Sequence, residues 1–151
     1  MVERAVSAWT TNRIIAMVIG VVFLIIGILG LIFATTHGYI LGFQVDLVHN
    51  LFHLVTGILG IAAAMTGWSR LFNQVFGIIY LLLGLAGLIP ALYFGHRLLG
   101  LMQVNAADNV LHLVVGVVAT GVGFFVHDDA TRGVADTRGT TGGNEGPMAR
   151  P

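Results

Sequence analysis

Two short stretches hold the side chains that could do chemistry. Residues 44–53 read Gln-Val-Asp-Leu-Val-His-Asn-Leu-Phe-His, and residues 103–112 read Gln-Val-Asn-Ala-Ala-Asp-Asn-Val-Leu-His. His49 and His53 are one helical turn apart, as are Asp108 and His112, so on helices each pair shares a face. Three His and one carboxylate (His49, His53, Asp108 and His112) form a donor set suited to zinc or another borderline metal. His53 and His112, carried by separate helices, could also ligate a haem. Ionisable groups inside a membrane suggest a proton or ion path, yet no matching acid lies deeper on either helix. The plainest reading is a helix-packing polar motif of Asn50, His53, Asn109 and His112, hydrogen-bonding between helices. That reading leads, with no cofactor, and zinc or haem binding are the alternatives.

These residues need elements to hold them, and the composition says which kind. The chain has 151 residues, with seven Arg, no Lys and seven acidic residues, for a net charge of zero. Charged residues are 9% of the total and hydrophobic residues 56%, with mean hydropathy +0.91. A soluble domain has about 25% charged residues. The balance excludes a disordered chain, a nucleic-acid binder and an ordinary soluble enzyme. Without Cys there is no disulfide, thiolate metal site or Cys nucleophile.

The charges divide the chain. Residues 1–13 form a short polar segment and residues 127–151 a Gly-, Thr-, Asp- and Arg-rich tail expected to be solvated. Between them, residues 14–126 carry only Asp46, Arg70, Arg97 and Asp108. A bilayer core is crossed by about 20 apolar residues. Four stretches qualify: Ile14 to Ala34, Leu47 to Thr66, Leu71 to Phe94 and Ala106 to Val126. Backbone groups in lipid must find partners within their own segment, so these spans are expected to be helices. Pro90 is expected to kink or end the third. With four spans, Arg4, Arg13, Arg70, Arg132, Arg138 and Arg150 share one side and Arg97 stands on the other, which puts both termini in the cytoplasm. Trp9 and Trp68 fall at that interface, with Tyr39 and Tyr93 at the opposite one.

The two halves resemble each other. Arg13 to Ile32 aligns with Arg70 to Ile89, matching Arg13/Arg70, Gly20/Gly77, Gly27/Gly84 and Gly30/Gly87. Gln44 to Gly57 aligns with Gln103 to Gly116, matching Gln44/Gln103, Asn50/Asn109, His53/His112 and Gly57/Gly116. Apolar helices look alike by composition, but Gln, Asn and His at fixed spacing do not recur for that reason. The expected fold is an all-α membrane protein of two tandem parallel hairpin repeats, about 13–66 and 70–126, with a pseudo-two-fold axis along the membrane normal. Asp46 and Asn105 are expected N-caps, with Asp108 at the third helical position. The His face continues into Gly57 and Gly60, or Gly116 and Ala119, so the polar residues should point into the bundle. Loop residues His37, His96 and His127 are expected to be solvated, and Arg97 to snorkel or to bind Asp108 or a lipid phosphate.

At Asn50-Leu-Phe-His53-Leu54 and Asn109-Val-Leu-His112-Leu113 the sequence resembles a bacterial membrane family of unknown function, domain of unknown function 4383. The resemblance covers about residues 10–126. It implies four helices and a bacterial inner membrane, and brings no activity. No nucleophile elbow, phosphate-binding Gly loop or His-Glu-x-x-His is present, so no enzyme is expected. The expected role is structural or interaction-based: packing with itself or with a larger membrane complex in the lipid bilayer. A metal- or haem-binding bundle is the alternative, and an oligomeric ion or proton transporter the third.

Overall fold

The computed structural model describes residues 9–33 and 38–128. Residues 1–8, residues 34–37 with His37, and residues 129–151 lie outside the described residues. Four helices form, each long and apolar enough to span a membrane: α1 Thr11–Phe33, α2 Leu47–Thr66, α3 Ser69–Ala86 and α4 Ala106–Phe125. Their outward faces expose Ile, Leu, Val and Phe, as lipid contact requires. This is a small multi-pass membrane protein.

The helix ends follow from named side chains. Thr10 Oγ1 accepts from Arg13 N at 3.3 Å, so α1 begins before the apolar run does. Asp46 caps α2 by accepting from His49 N at 2.9 Å. Asn105 and Asp108 form a full capping box on α4, with Asp108 N donating to Asn105 Oδ1 and Asn105 N donating to Asp108 Oδ2. Gly67, at φ 86°, closes α2 in the left-handed conformation. The last turns of α2 and α4 are tied by Arg side chains from the neighbouring helix: Arg13 Nε donates to Ala64 O at 2.8 Å and Arg70 Nε to Gly123 O at 3.1 Å. Both cations meet the negative end of a helix dipole.

The third helix is shorter than expected. It stops at Ala86, not Phe94. Gly87 N–H bonds back to Leu83 O, and Pro90, which lacks an N–H, opens a short 3-10 turn over Pro90–Leu92. Two small antiparallel hairpins then appear that hydropathy did not signal: β1 Tyr39–Ile40 with β2 Phe43–Gln44, and β3 Tyr93–Phe94 with β4 Arg97–Leu98. Each turns on two residues of positive φ, Leu41-Gly42 and Gly95-His96, which is the type I′ geometry matched to strand twist.

Within each helical hairpin the backbones touch. A Cβ at Gly57 would strike the Leu24 backbone, and one at Gly116 the Leu81 backbone; Gly20 meets Gly60, and Gly77 meets Ala119 and Thr120. Thus α1 packs along α2 and α3 along α4, while contacts between the two pairs are sparser. The shared core is Phe23, Tyr80, Phe72, Ile19 and small Ala side chains. At the end bearing Arg13 and Arg70, buried Asn73 donates to Asn12 Oδ1 and O, both at 3.0 Å, joining the pairs.

The opposite end is closed by a polar roof. Gln103 N donates to Asp46 Oδ2 at 2.7 Å, Gln44 N donates to Asp108 Oδ2 at 3.0 Å, and Gln44 Nε2 donates to Gln103 Oε1 at 3.0 Å. Arg97, expected to snorkel or to reach Asp108 or a lipid phosphate, instead pairs with Asp46 at 3.0 Å. The β3–β4 hairpin brings it there. Leu98, Met102 and Val104 are buried in the roof.

Two stability predictions follow from this packing. Gly116→Val should lower the melting temperature in detergent by at least about 5 °C, because the added carbons force two helix backbones apart. Gly121→Ala, where a Cβ meets nothing within 4 Å, should stay within about 2 °C of wild type. Asp46→Ala should cost about 2–3 kcal/mol by removing a cap and stranding Gln103 N–H, whereas Arg97→Gln, at a 40% exposed side chain, should cost less than about 1 kcal/mol. Thermal melts followed by circular dichroism would check both.

Candidate metal centre

Beneath the roof three imidazoles converge. His49 and His53, one turn apart on α2, have ring centroids 4.4 Å apart. His112 arrives from α4, at 5.7 Å from His49 and 6.2 Å from His53. All three are buried, at 1%, 3% and 1% exposure. One ligating nitrogen of each lies within 4.8 Å of the other two. A tetrahedral ion with bonds of about 2.0–2.1 Å sets its ligand atoms about 3.3 Å apart, so modest ring rotations would close the set.

The surroundings orient the rings. His49 Nδ1 lies 3.0 Å from Gln44 O and 3.1 Å from Gln103 O. Carbonyl oxygens only accept, so Nδ1 carries the proton and Nε2 presents its lone pair to the cluster. Metal-ligating His is commonly held in this way, with its second nitrogen on a backbone carbonyl. Phe23 stands edge-on to His53 at 4.9 Å, and Tyr80 packs on His112 at 5.2 Å. Tyr80 Oη donates to Thr56 Oγ1 at 3.0 Å.

Four ring nitrogens have no hydrogen-bond partner among the described residues. His49 Nε2, His53 Nδ1 and Nε2, and His112 Nδ1 are all buried without one. Each such group costs about 1–3 kcal/mol when it is left unmade in the interior.

The other site residues fall elsewhere. Asp108 is buried beside the cluster but is not among its convergent donors; its Oδ2 accepts from Gln44 N and Asn105 N. The donor set of four thus contracts to three. Asn50 and Asn109 pack into the notches left by Gly30 and Gly87 on the neighbouring helix, where a Cβ would collide with the amide. Asn109 Nδ2 donates to Gly87 O at 2.8 Å, while the Asn50 amide has no partner among the described residues. His96 and His127 are exposed.

Sequence reading missed Tyr80, Phe23, Thr56 and the two Gln carbonyls. Signals for some were present. Phe23 and Tyr80 occupy matched positions of the aligned halves, and Thr56 extends the His49–His53 face by one turn. The carbonyls had none, because a backbone oxygen has no residue type.

No curated protein and no solved structure matches the chain. The family model described as domain of unknown function (DUF4383) matches residues 13–125, from the Arg that ties α2 to the end of α4. Its span takes in α2, α3, α4 and all of α1 but its first two residues, with the roof and the three His, and the chain belongs to that family.

Proposed function

We propose that this membrane protein binds one divalent transition-metal ion of the zinc class through His49, His53 and His112. The observation that carries the proposal is the convergence of three buried imidazoles, each with a ring nitrogen that has no hydrogen-bond partner among the described residues. A metal ion is the simplest species that satisfies several nitrogen lone pairs at one point. Three protein ligands leave a fourth position open, as in zinc sites that take a further ligand.

A purely structural role accounts for Asn109, which ties α4 to the end of α3, but not for His53, whose two nitrogens have no hydrogen-bond partner among the described residues. Self-association through Gly-rich faces loses its motive as well, since Gly20, Gly57, Gly77 and Gly116 are consumed inside the hairpins. A haem on His53 and His112 needs a flat macrocycle between those rings. The His49 ring lies against both, and Phe23 and Tyr80 fill the adjacent space. The proposed activity is binding without turnover, as the sequence carries no catalytic set.

The test is metal content per chain by elemental mass spectrometry, after the full-length protein is loaded with zinc in mild detergent and freed of excess. Wild type should hold one ion, and His53→Ala and His112→Ala should hold almost none while eluting as folded protein. Asp108→Asn should retain the ion, because its carboxylate serves the roof. Saturating zinc should also raise stability by about 2.7 kcal/mol at a hundredfold excess over Kd, and this gain should vanish in the His variants and at acid pH, where imidazolium has no lone pair. A wild type that takes up no zinc, or His variants that take up as much, would overturn the proposal.

A further inference from the structure

The metal site has a side entrance. A cleft of about 280 Å³ runs between α2 and α3, with His49, His53 and His112 on its floor. Its walls are apolar, and Phe52, Val55 and Ile79 at its rim are 49%, 51% and 42% exposed on helix faces that meet lipid. The water-facing end is shut by the roof bonds among Asp46, Gln44, Gln103 and Asp108. A ligand therefore reaches the three His from the bilayer.

We propose that this cleft takes a fatty acid, its carboxylate on the open position of the metal and its acyl chain between α2 and α3. The inference rests on the metal reading above. Charge selects the head group. Three neutral imidazoles leave the charge of a divalent ion whole in a low-dielectric setting, which favours an anionic fourth ligand. The protein's own nearby carboxylates are engaged, Asp46 by His49 N, Gln103 N and Arg97, and Asp108 by Gln44 N and Asn105 N. Depth selects the same molecule. The His lie in the first two turns of α2 and α4, near one end of the spans, where a fatty acid keeps its carboxylate while its chain lies in hydrocarbon. The cleft descends from Met102 in the roof to Thr56 and Phe76 along the helices, the direction an acyl chain would take.

The test uses full-length protein in maltoside detergent loaded with cobalt(II), whose visible absorption reports its ligands. Decanoate should shift the cobalt bands saturably, at concentrations at least about a hundredfold below those at which acetate does, because the buried chain adds affinity. Decanol, which has the chain and no carboxylate, should leave the bands unchanged. Val55→Trp and Ile79→Trp fill the mouth from lipid-facing positions; each should keep the cobalt spectrum of wild type and respond to decanoate only as to acetate. Equal responses to decanoate and acetate in wild type would overturn the fatty-acid proposal and leave the metal site standing, as would Trp variants that bind decanoate like wild type. Failure of cobalt to bind at all would remove both readings together.

Discussion

Hydrocarbon offers a backbone no hydrogen bonds, and most of this structure is a response to that. A carbonyl or N–H left unpaired in lipid costs several kcal/mol, so the apolar stretches become helices and their ends need partners. Asp46, Asn105 and Asp108 supply them at two N-termini, and Arg13 and Arg70 reach sideways to do so at two C-termini. The connecting chain pairs with itself in two tight hairpins and locks across the roof through Gln44 and Gln103. Against that thrift, buried side-chain atoms without a partner among the described residues gather most densely at the converging His49, His53 and His112, with others on Asn50, Asn73, Asn109 and Thr120. The same penalty that organises the rest of the molecule marks the place where a ligand would be favoured.

The two hairpins share their packing and differ in their chemistry. Gly20 and Gly77, Gly57 and Gly116, and Arg13 and Arg70 make corresponding contacts in the two halves. At the site the matched positions diverge: His49 against Asp108, Tyr80 against Phe23, Thr56 against Val115. Each divergence has a local consequence. His49 turns a nitrogen toward the cluster, whereas Asp108 closes a capping box and binds the opposite loop. Tyr80 reaches Thr56 through a hydroxyl that Phe23 lacks. The first repeat thus contributes two of the converging His and the second repeat one, with an acid in place of the other.

The site also lies where the molecule is least tightly bound. Helices within a hairpin meet backbone to backbone, and a single methyl group would separate them. Between hairpins the contacts are fewer, and the polar ones are concentrated at the two ends, in the Asn12–Asn73 pair and the roof. An ion held by two His of α2 and one of α4 would bridge that seam. Occupancy would be expected to stiffen the junction between two units that are each already rigid.

Much was legible in the sequence because the relevant physics is local or periodic. Long apolar runs specified four spans, the recurring Gln, Asn and His showed the likeness of the two halves, and Asp46, Asn105 and Asp108 announced helix starts because capping acts over three residues. The inward face of His53 and His112 followed from their spacing to Gly57 and Gly116. What required tertiary structure was every bond that crosses between segments. Arg97 chose Asp46 over Asp108, α3 ended at Ala86, Asp108 joined the roof instead of the His, and the carbonyls of Gln44 and Gln103 fixed the His49 proton. Composition and periodicity report what a residue must avoid, here water or lipid, and so they place it on a face. Which partner it then meets depends on distances of a few tenths of an ångström between chain segments, and those are decided only when the hairpins pack together.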